Sequence, residues 1–306
     1  MSKEHADRAS HCGRTWVIAS HTFTQLVRMK VFYFLLVFGV ITIASNFFDM
    51  PQHAGPEAVG ANVLRSIKSW SLGAMTLFSV VLAVVATALL LPKDVEDRTL
   101  YTILAKPVPR LDYLAGKLLG VLALVFVSLL AMDLLMTAAL TIRTQMVLDE
   151  QLAMATAMGY TDEALASLRA DMLAQGPNGS LHGAVFAVFL RAAVIAAVAL
   201  LVSTFSTSTL FTAVISFLVY FIGHFQADMR MAYLAGGADG EGWVARGISL
   251  VVSLILPDFQ IFNVVDSVIE GQLVSLAVMA KLAGVSAFYV VFYTLCSWLI
   301  FADKEF

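Results

Sequence analysis

Gly116-Lys117 is the place where a phosphate-binding loop would close, but Leu118 follows where a magnesium-ligating Ser or Thr is needed. No glycine stands at the required position upstream, so the chain cannot hydrolyse ATP by that route. There is no HExxH and no GxSxG. His5, His11, His21, His53, His182 and His224 are scattered, and none has a second ligand at metal spacing. Cys12 and Cys296 stand too far apart in the chain to imply a disulfide framework or a thiolate metal site. The chain therefore reads as a non-enzyme that binds no cofactor or metal directly, and nothing points to a nucleic-acid partner. Two features with chemical potential remain: charges inside apolar segments, and a charged island at residues 93–117.

Asp133 and Arg191 each lie about eight residues inside an apolar segment, or roughly 12 Å deep at the helical rise of about 1.5 Å per residue. Ionisable groups at such depth are costly and face a bundle interior or a pathway. Consecutive antiparallel helices commonly pack together, so a structural Asp133–Arg191 ion pair is expected. A substrate- or proton-linked role is the sharper alternative, and Arg191 snorkelling with Asp133 alone is a third.

The elements that position these residues follow from composition. The 306 residues are 59% hydrophobic and 13% charged, with a mean hydropathy of +0.84. Soluble domains average about 45–50% apolar and about 25% charged, so this is a polytopic, all-α membrane protein. Six spans are expected at about 31–48, 72–92, 118–141, 183–205, 208–225 and 282–301. The N-terminus lacks the pattern of a cleaved signal peptide, so the first span is expected to remain as an anchor. Before that span, residues 15–30 place Trp16, Ala19, Phe23, Val27 and Lys30 at helical spacing, as in an amphipathic interfacial helix. A polar tail frayed into the first span is the plainer alternative.

Lys3, Arg8, Arg14, Arg28 and Lys30, with Lys93, Arg98, Lys106, Arg110 and Lys117, put the N-terminal segment and the island in the cytoplasm. The acidic 143–182 connection then lies outside. The 49–71 loop, with Arg65 and Lys68, is also outside and disagrees mildly. Both termini are expected in the cytoplasm, and 203–208 is a tight uncharged cytoplasmic turn. Region 226–281 has too few apolar residues for a clear span. Two short outer helices dipping partway into the membrane and joined at Pro257 are expected there; a seventh crossing is the rival. Gly116 and Gly120 form a small-residue pair suited to close helix approach, although such spacing is common in glycine-rich spans. Met146, Met154, Met158 and Met172 are too irregular for a soft-metal site and suit an amphipathic outer helix packed on the membrane.

Within the island, residues 94–104 can form three helical turns with Val95, Leu100 or Tyr101, and Leu104 on one side. Lys106-Pro107 ends them, because the residue before proline leaves the helical region. An ordinary basic loop would show the same charges but not this order. Glu96, Arg98-Thr99-Leu100, Ile103-Leu104, Pro107-Val108, Arg110, Tyr113 and Gly116-Lys117 resemble the segment between spans two and three in permeases of ABC-2 type transporters. The resemblance extends along most of the chain: an elbow helix, six spans, and short re-entrant outer helices before the last. Arg98 departs from that pattern, which often has Gly there, and the 143–182 loop exceeds what a minimal permease needs.

The resemblance implies a single transmembrane domain that works with a second permease, identical or related, and with cytoplasmic ATPase subunits carrying the ATP and magnesium. Glu96, Arg98, Thr99, Leu100, Leu104, Pro107 and Arg110 would couple to the ATPase, the turn at 203–208 would add a smaller contact, and Pro257 would lie in an outer gate. It further implies export across a bacterial inner membrane, with membrane lipid as a surrounding partner. Two other classes remain open: an ATPase-driven envelope-remodelling protein through which nothing passes, and an ion-coupled secondary transporter using Asp133.

Overall fold

The computed structural model describes residues 2–44, 56–96, 109–206, 208–226 and 256–302. Nine α-helices occur among them, with no strand. They are α1 (Ser2–Val27), α2 (Lys30–Ala44), α3 (Pro56–Glu96), α4 (Arg110–Ala157), α5 (Asp162–Ala174), α6 (Gly179–Phe205), α7 (Thr209–His224), α8 (Val265–Ile269) and α9 (Leu276–Ala302). A 3₁₀ turn at Gln260–Phe262 precedes α8.

Polar side chains at the helix starts explain where several begin. Asn178 accepts from the Leu181 amide at the start of α6, Thr161 from Ala164 at α5, and Ser208 from Phe211 at α7. The α4–α5 reversal uses Gly159 at φ +78, a left-handed conformation that residues with a Cβ rarely adopt. The Tyr160 amide there reaches back to the Ala155 carbonyl.

The bundle is arranged around α6, which packs against α3, α4, α7 and α9. Every residue from Arg191 to Leu200 on α6 is buried. Its alanines and valines leave room for neighbours on all sides, and a helix apolar all round belongs in an interior. On the periphery, α7 and α9 turn Phe211, Leu218, Phe288, Phe292 and Leu299 outward. Outward-facing apolar side chains of this kind suit a lipid surround.

Four stretches among the described residues are long and apolar enough to cross a membrane: α3, α4, α9, and the α5–α6 stretch whose apolar part is α6. Thr209–His224 is apolar but shorter, and α2 has 15 residues. The chain is a multi-pass membrane protein. The first of the two expected outer helices, and most of the segment on which the rival seventh crossing would fall, lie within 243–255, outside the described residues.

The 143–182 connection is helical and packed. With 48 residues, α4 runs about 72 Å, and α3, with 41, about 62 Å. Both exceed a hydrocarbon core of about 30 Å. Thr144, Val147, Gln151 and Ala155 are buried along one stripe of the α4 extension. A Cβ on Gly60 of α3 would stand 3.1–3.3 Å from Met172, Val147 and Gln151, so α3, α4 and α5 are in close contact here. Met172 is buried, whereas Met146, Met154 and Met158 are exposed. Lys68, 1% exposed, donates to Gln175 Oε1 at 2.7 Å, which ties α3 to the end of α5.

Candidate functional site

α3 reaches Glu96, whose side chain lies outside the described residues, as do Arg98, Thr99, Leu100, Leu104 and Pro107. The next described residue is Pro109, which immediately precedes α4. From there the island's second half is held by the protein's own helices. Arg110 Nη1 donates to the Phe301 carbonyl at 2.8 Å and also to the Ala302 carbonyl. These belong to the last turn of α9, whose terminal carbonyls have no partner within the helix. The guanidinium carbon also sits 6.0 Å from the Phe301 ring centroid. Tyr113, fully buried, stacks on Phe301 with centroids 6.1 Å apart. Lys117 Nζ is 5.7 Å from the Tyr113 centroid, within cation–π range.

The other flank of α4 meets α1. Asp112 Oδ2 accepts from His11 Nδ1 at 2.7 Å. A Cβ on Gly116 would stand 2.8 Å from Ile18, and one on Gly120 would stand 2.6 Å from Thr22 and 2.8 Å from the Ala19 carbonyl. The two glycines therefore let α1 and α4 approach backbone to backbone. The face of α1 that packs includes Ile18, Ala19, Thr22, Phe23, Leu26 and Val27, so three residues of the expected stripe lie on it, whereas Lys30 is exposed and Trp16 is 74% exposed. Arg110, Tyr113, Gly116 and Lys117 thus form a joint between the beginning of α4, the end of α9 and the flank of α1.

The second group lies deeper. Asp133 is buried, and its Oδ2 accepts from His182 Nδ1 at 2.7 Å, while His182 is half exposed. No ion pair links Asp133 to Arg191 among the described residues. The helix register explains the difference. Phe126 meets Phe189 at 5.3 Å, and seven residues on, in opposite directions along α4 and α6, Asp133 meets His182. That register sets Arg191 opposite Leu124, nine residues or about 13 Å along the axis from Asp133.

Arg191 is 4% exposed, and its Nε has no hydrogen-bond partner. It lines a cavity of about 340 Å³ between α3, α6, α7 and the 263–265 segment, with Gly73, Thr76, Tyr220 and Asn263 on the walls. Pro257 is buried near the cavity's α7 wall, where a Cβ on Gly223 would stand 2.7 Å from the Pro257 carbonyl. Phe259 donates its amide to the Gly223 carbonyl at 3.2 Å and packs 5.3 Å from the Tyr220 ring. The segment after Pro257 is therefore anchored on the end of α7.

His11, His182 and Phe301 belong to these groups but were not singled out from sequence. His182 stands at the start of an apolar run, where its proximity to Asp133 depends on the register alone. Phe301 carried a signal: an aromatic residue closing the last span, opposite the island in the expected topology.

A family model described as an ABC-2 family transporter protein matches residues 16–305. No curated protein matches the chain.

Proposed function

The chain belongs to the ABC-2 transporter family, and from that premise we propose that it is the permease subunit of an ATP-driven exporter. Two permeases, identical or paired with a relative, form the pathway, and separate cytoplasmic ATPase subunits bind the ATP and magnesium. The chain itself carries out no hydrolysis. In this reading six helices cross a bacterial inner membrane, with α2 and α7 joining the four longer ones. Both termini face the cytoplasm, and α1 is the elbow helix.

Residues 94–106 seat in a groove on the ATPase, with Glu96, Arg98, Thr99, Leu100 and Leu104 supplying the contact and Pro107 fixing the exit. The turn at 203–208 adds a smaller contact. The observation that supports this most directly is the joint that follows the segment in the chain. Arg110, Tyr113, Gly116 and Lys117 bind α4 to α9 and α1. Force applied just before Arg110 is then shared by three helices instead of being absorbed in a loose connection. Closure of the ATPases rocks α3 and α4, and the segment around Pro257, anchored at the far end of α7, gates the outward opening.

The test is purification of the tagged full chain from its native host in mild detergent, alongside Glu96→Ala and Arg98→Ala. A cytoplasmic ATPase should co-purify in stoichiometric amount with the wild type and be weakened or lost in the variants. A folded wild-type chain that brings down no ATPase refutes the reading.

A further inference from the structure

Arg191 is the most consequential group that the coupling reading leaves unused. A guanidinium buried in an apolar bundle must be compensated, because an unpaired buried charge is among the costliest arrangements in a protein. Here no carboxylate compensates it among the described residues. Asp133 is engaged by His182. Asp258 accepts from the Gln260 amide, and Asp266 accepts from the Asn263 side chain. None of the three forms an ion pair with Arg191. Arg191 instead stands on the wall of the cavity of about 340 Å³, and a Cβ added to Gly73, another wall residue, would meet nothing within 4 Å.

The remaining walls identify what fits. Leu77, Val80 and Phe217 make most of the surface apolar, while Thr76, Tyr220 and Asn263 add a few hydrogen-bonding groups to the same walls. A volume of this size lies at the low end for small-molecule sites, which combine apolar walls with a few polar fixing points. A free inorganic anion would satisfy the charge but leave the apolar walls unused. We infer that this cavity binds the anionic headgroup of an amphiphile, with the phosphate or carboxylate on Arg191 and the first part of the apolar chain against α3 and α7. The inference concerns binding and holds whether the amphiphile is resident lipid or cargo.

The test uses the full chain in detergent, titrated separately with dioctanoyl phosphatidylglycerol, dioctanoyl phosphatidylcholine and inorganic phosphate, with adducts read by native mass spectrometry. The wild type should retain the anionic lipid at least about tenfold over the zwitterionic one. In Arg191→Gln the preference should fall to within about twofold. Gly73→Leu should give the same loss by filling the cavity while leaving the charge in place, with helicity and monodispersity as controls for folding. If Arg191→Gln does not fold, Gly73→Leu decides alone. A wild type without preference for phosphatidylglycerol overturns the inference, as does a preference that survives in folded Gly73→Leu. Retention of inorganic phosphate with no lipid preference would assign the site to a free anion and overturn the amphiphile.

Discussion

Gly120→Ala isolates the contact that fixes α1 to the bundle. The added methyl would stand 2.6 Å from Thr22 Cβ and 2.8 Å from the Ala19 carbonyl oxygen. Ordinary contact begins near 3.4 Å, so α1 must retreat by about 0.6–0.8 Å. A radial gap of about 0.5–1 Å forfeits a quarter to a half of each dispersion contact it opens. Because one obstacle is backbone, a rotamer change cannot relieve it. Overpacking of this kind costs about 1–3 kcal/mol. Replacing Gly by Ala inside a helix also brings a propensity gain of up to about 1 kcal/mol, which would mask part of the loss.

Gly284→Ala in α9 supplies the matched control, since a Cβ there meets nothing within 4 Å. The propensity gain is common to both variants, so the difference between them is the steric cost alone. On the scale of soluble domains, about 2–4 °C per kcal/mol, it amounts to roughly 2–12 °C. The assay is the midpoint of heat-induced loss of the monodisperse species in one detergent, with limited trypsin digestion of the N-terminal segment as a second readout. Gly120→Ala should melt below Gly284→Ala and release the N-terminal segment faster. Equal midpoints and equal digestion would refute the account of a backbone-to-backbone joint.

Three further outcomes are expected. Arg110→Ala removes the charged donors to the Phe301 and Ala302 carbonyls, worth about 2 kcal/mol; in a Cys12→Ser background, thiol labelling at Cys296 should accelerate severalfold as the end of α9 loosens. His182→Ala leaves the buried Asp133 carboxylate without its partner and should destabilise by about 1–3 kcal/mol. The double variant Asp133→Ala/His182→Ala should recover much of that loss in a thermal-stability cycle, whereas exchanging the charges of Asp133 and Arg191 should rescue nothing. Gln175→Ala deprives the Lys68 ammonium of its 2.7 Å acceptor and should cost about 1.5–3 kcal/mol; Lys68→Met/Gln175→Ala should restore stability by comparison with the single variant, and a cycle showing no coupling would exclude the contact.

How much of this was legible in the sequence depends on whether a feature is local or relational. The helical class and the family follow from long apolar runs and from the ordered residues between 96 and 117, both local properties. The glycine pair at 116 and 120 announced a close approach but not its partner. Small residues specify a flat surface, and what lies on it is decided by the rest of the fold. The Asp133–Arg191 pairing was inferred by counting inward from the ends of apolar runs. Those ends are not helix ends: α4 continues sixteen residues past Thr141, and interlocking side chains such as Phe126 and Phe189 set the register. The acidity of the 143–182 connection places it outside and its methionines suit an amphipathic helix lying on the membrane, neither of which announces a face packed within the bundle. Yet Thr144, Val147, Gln151 and Ala155 already carried helical spacing, the signal that could have revealed its packed face.

The unbroken length of α4 has a geometric consequence. It runs about 72 Å without a proline between Arg110 and Ala157. If it moves as a rigid body, an angular displacement of about 5° at its α9 end sweeps the opposite tip through about 6 Å. That tip is packed with α3 and α5 at Gly60 and Met172, so the three helices travel as one. A change too small to alter any side-chain contact at the origin would thus register at the other extremity as a shift wider than a water molecule.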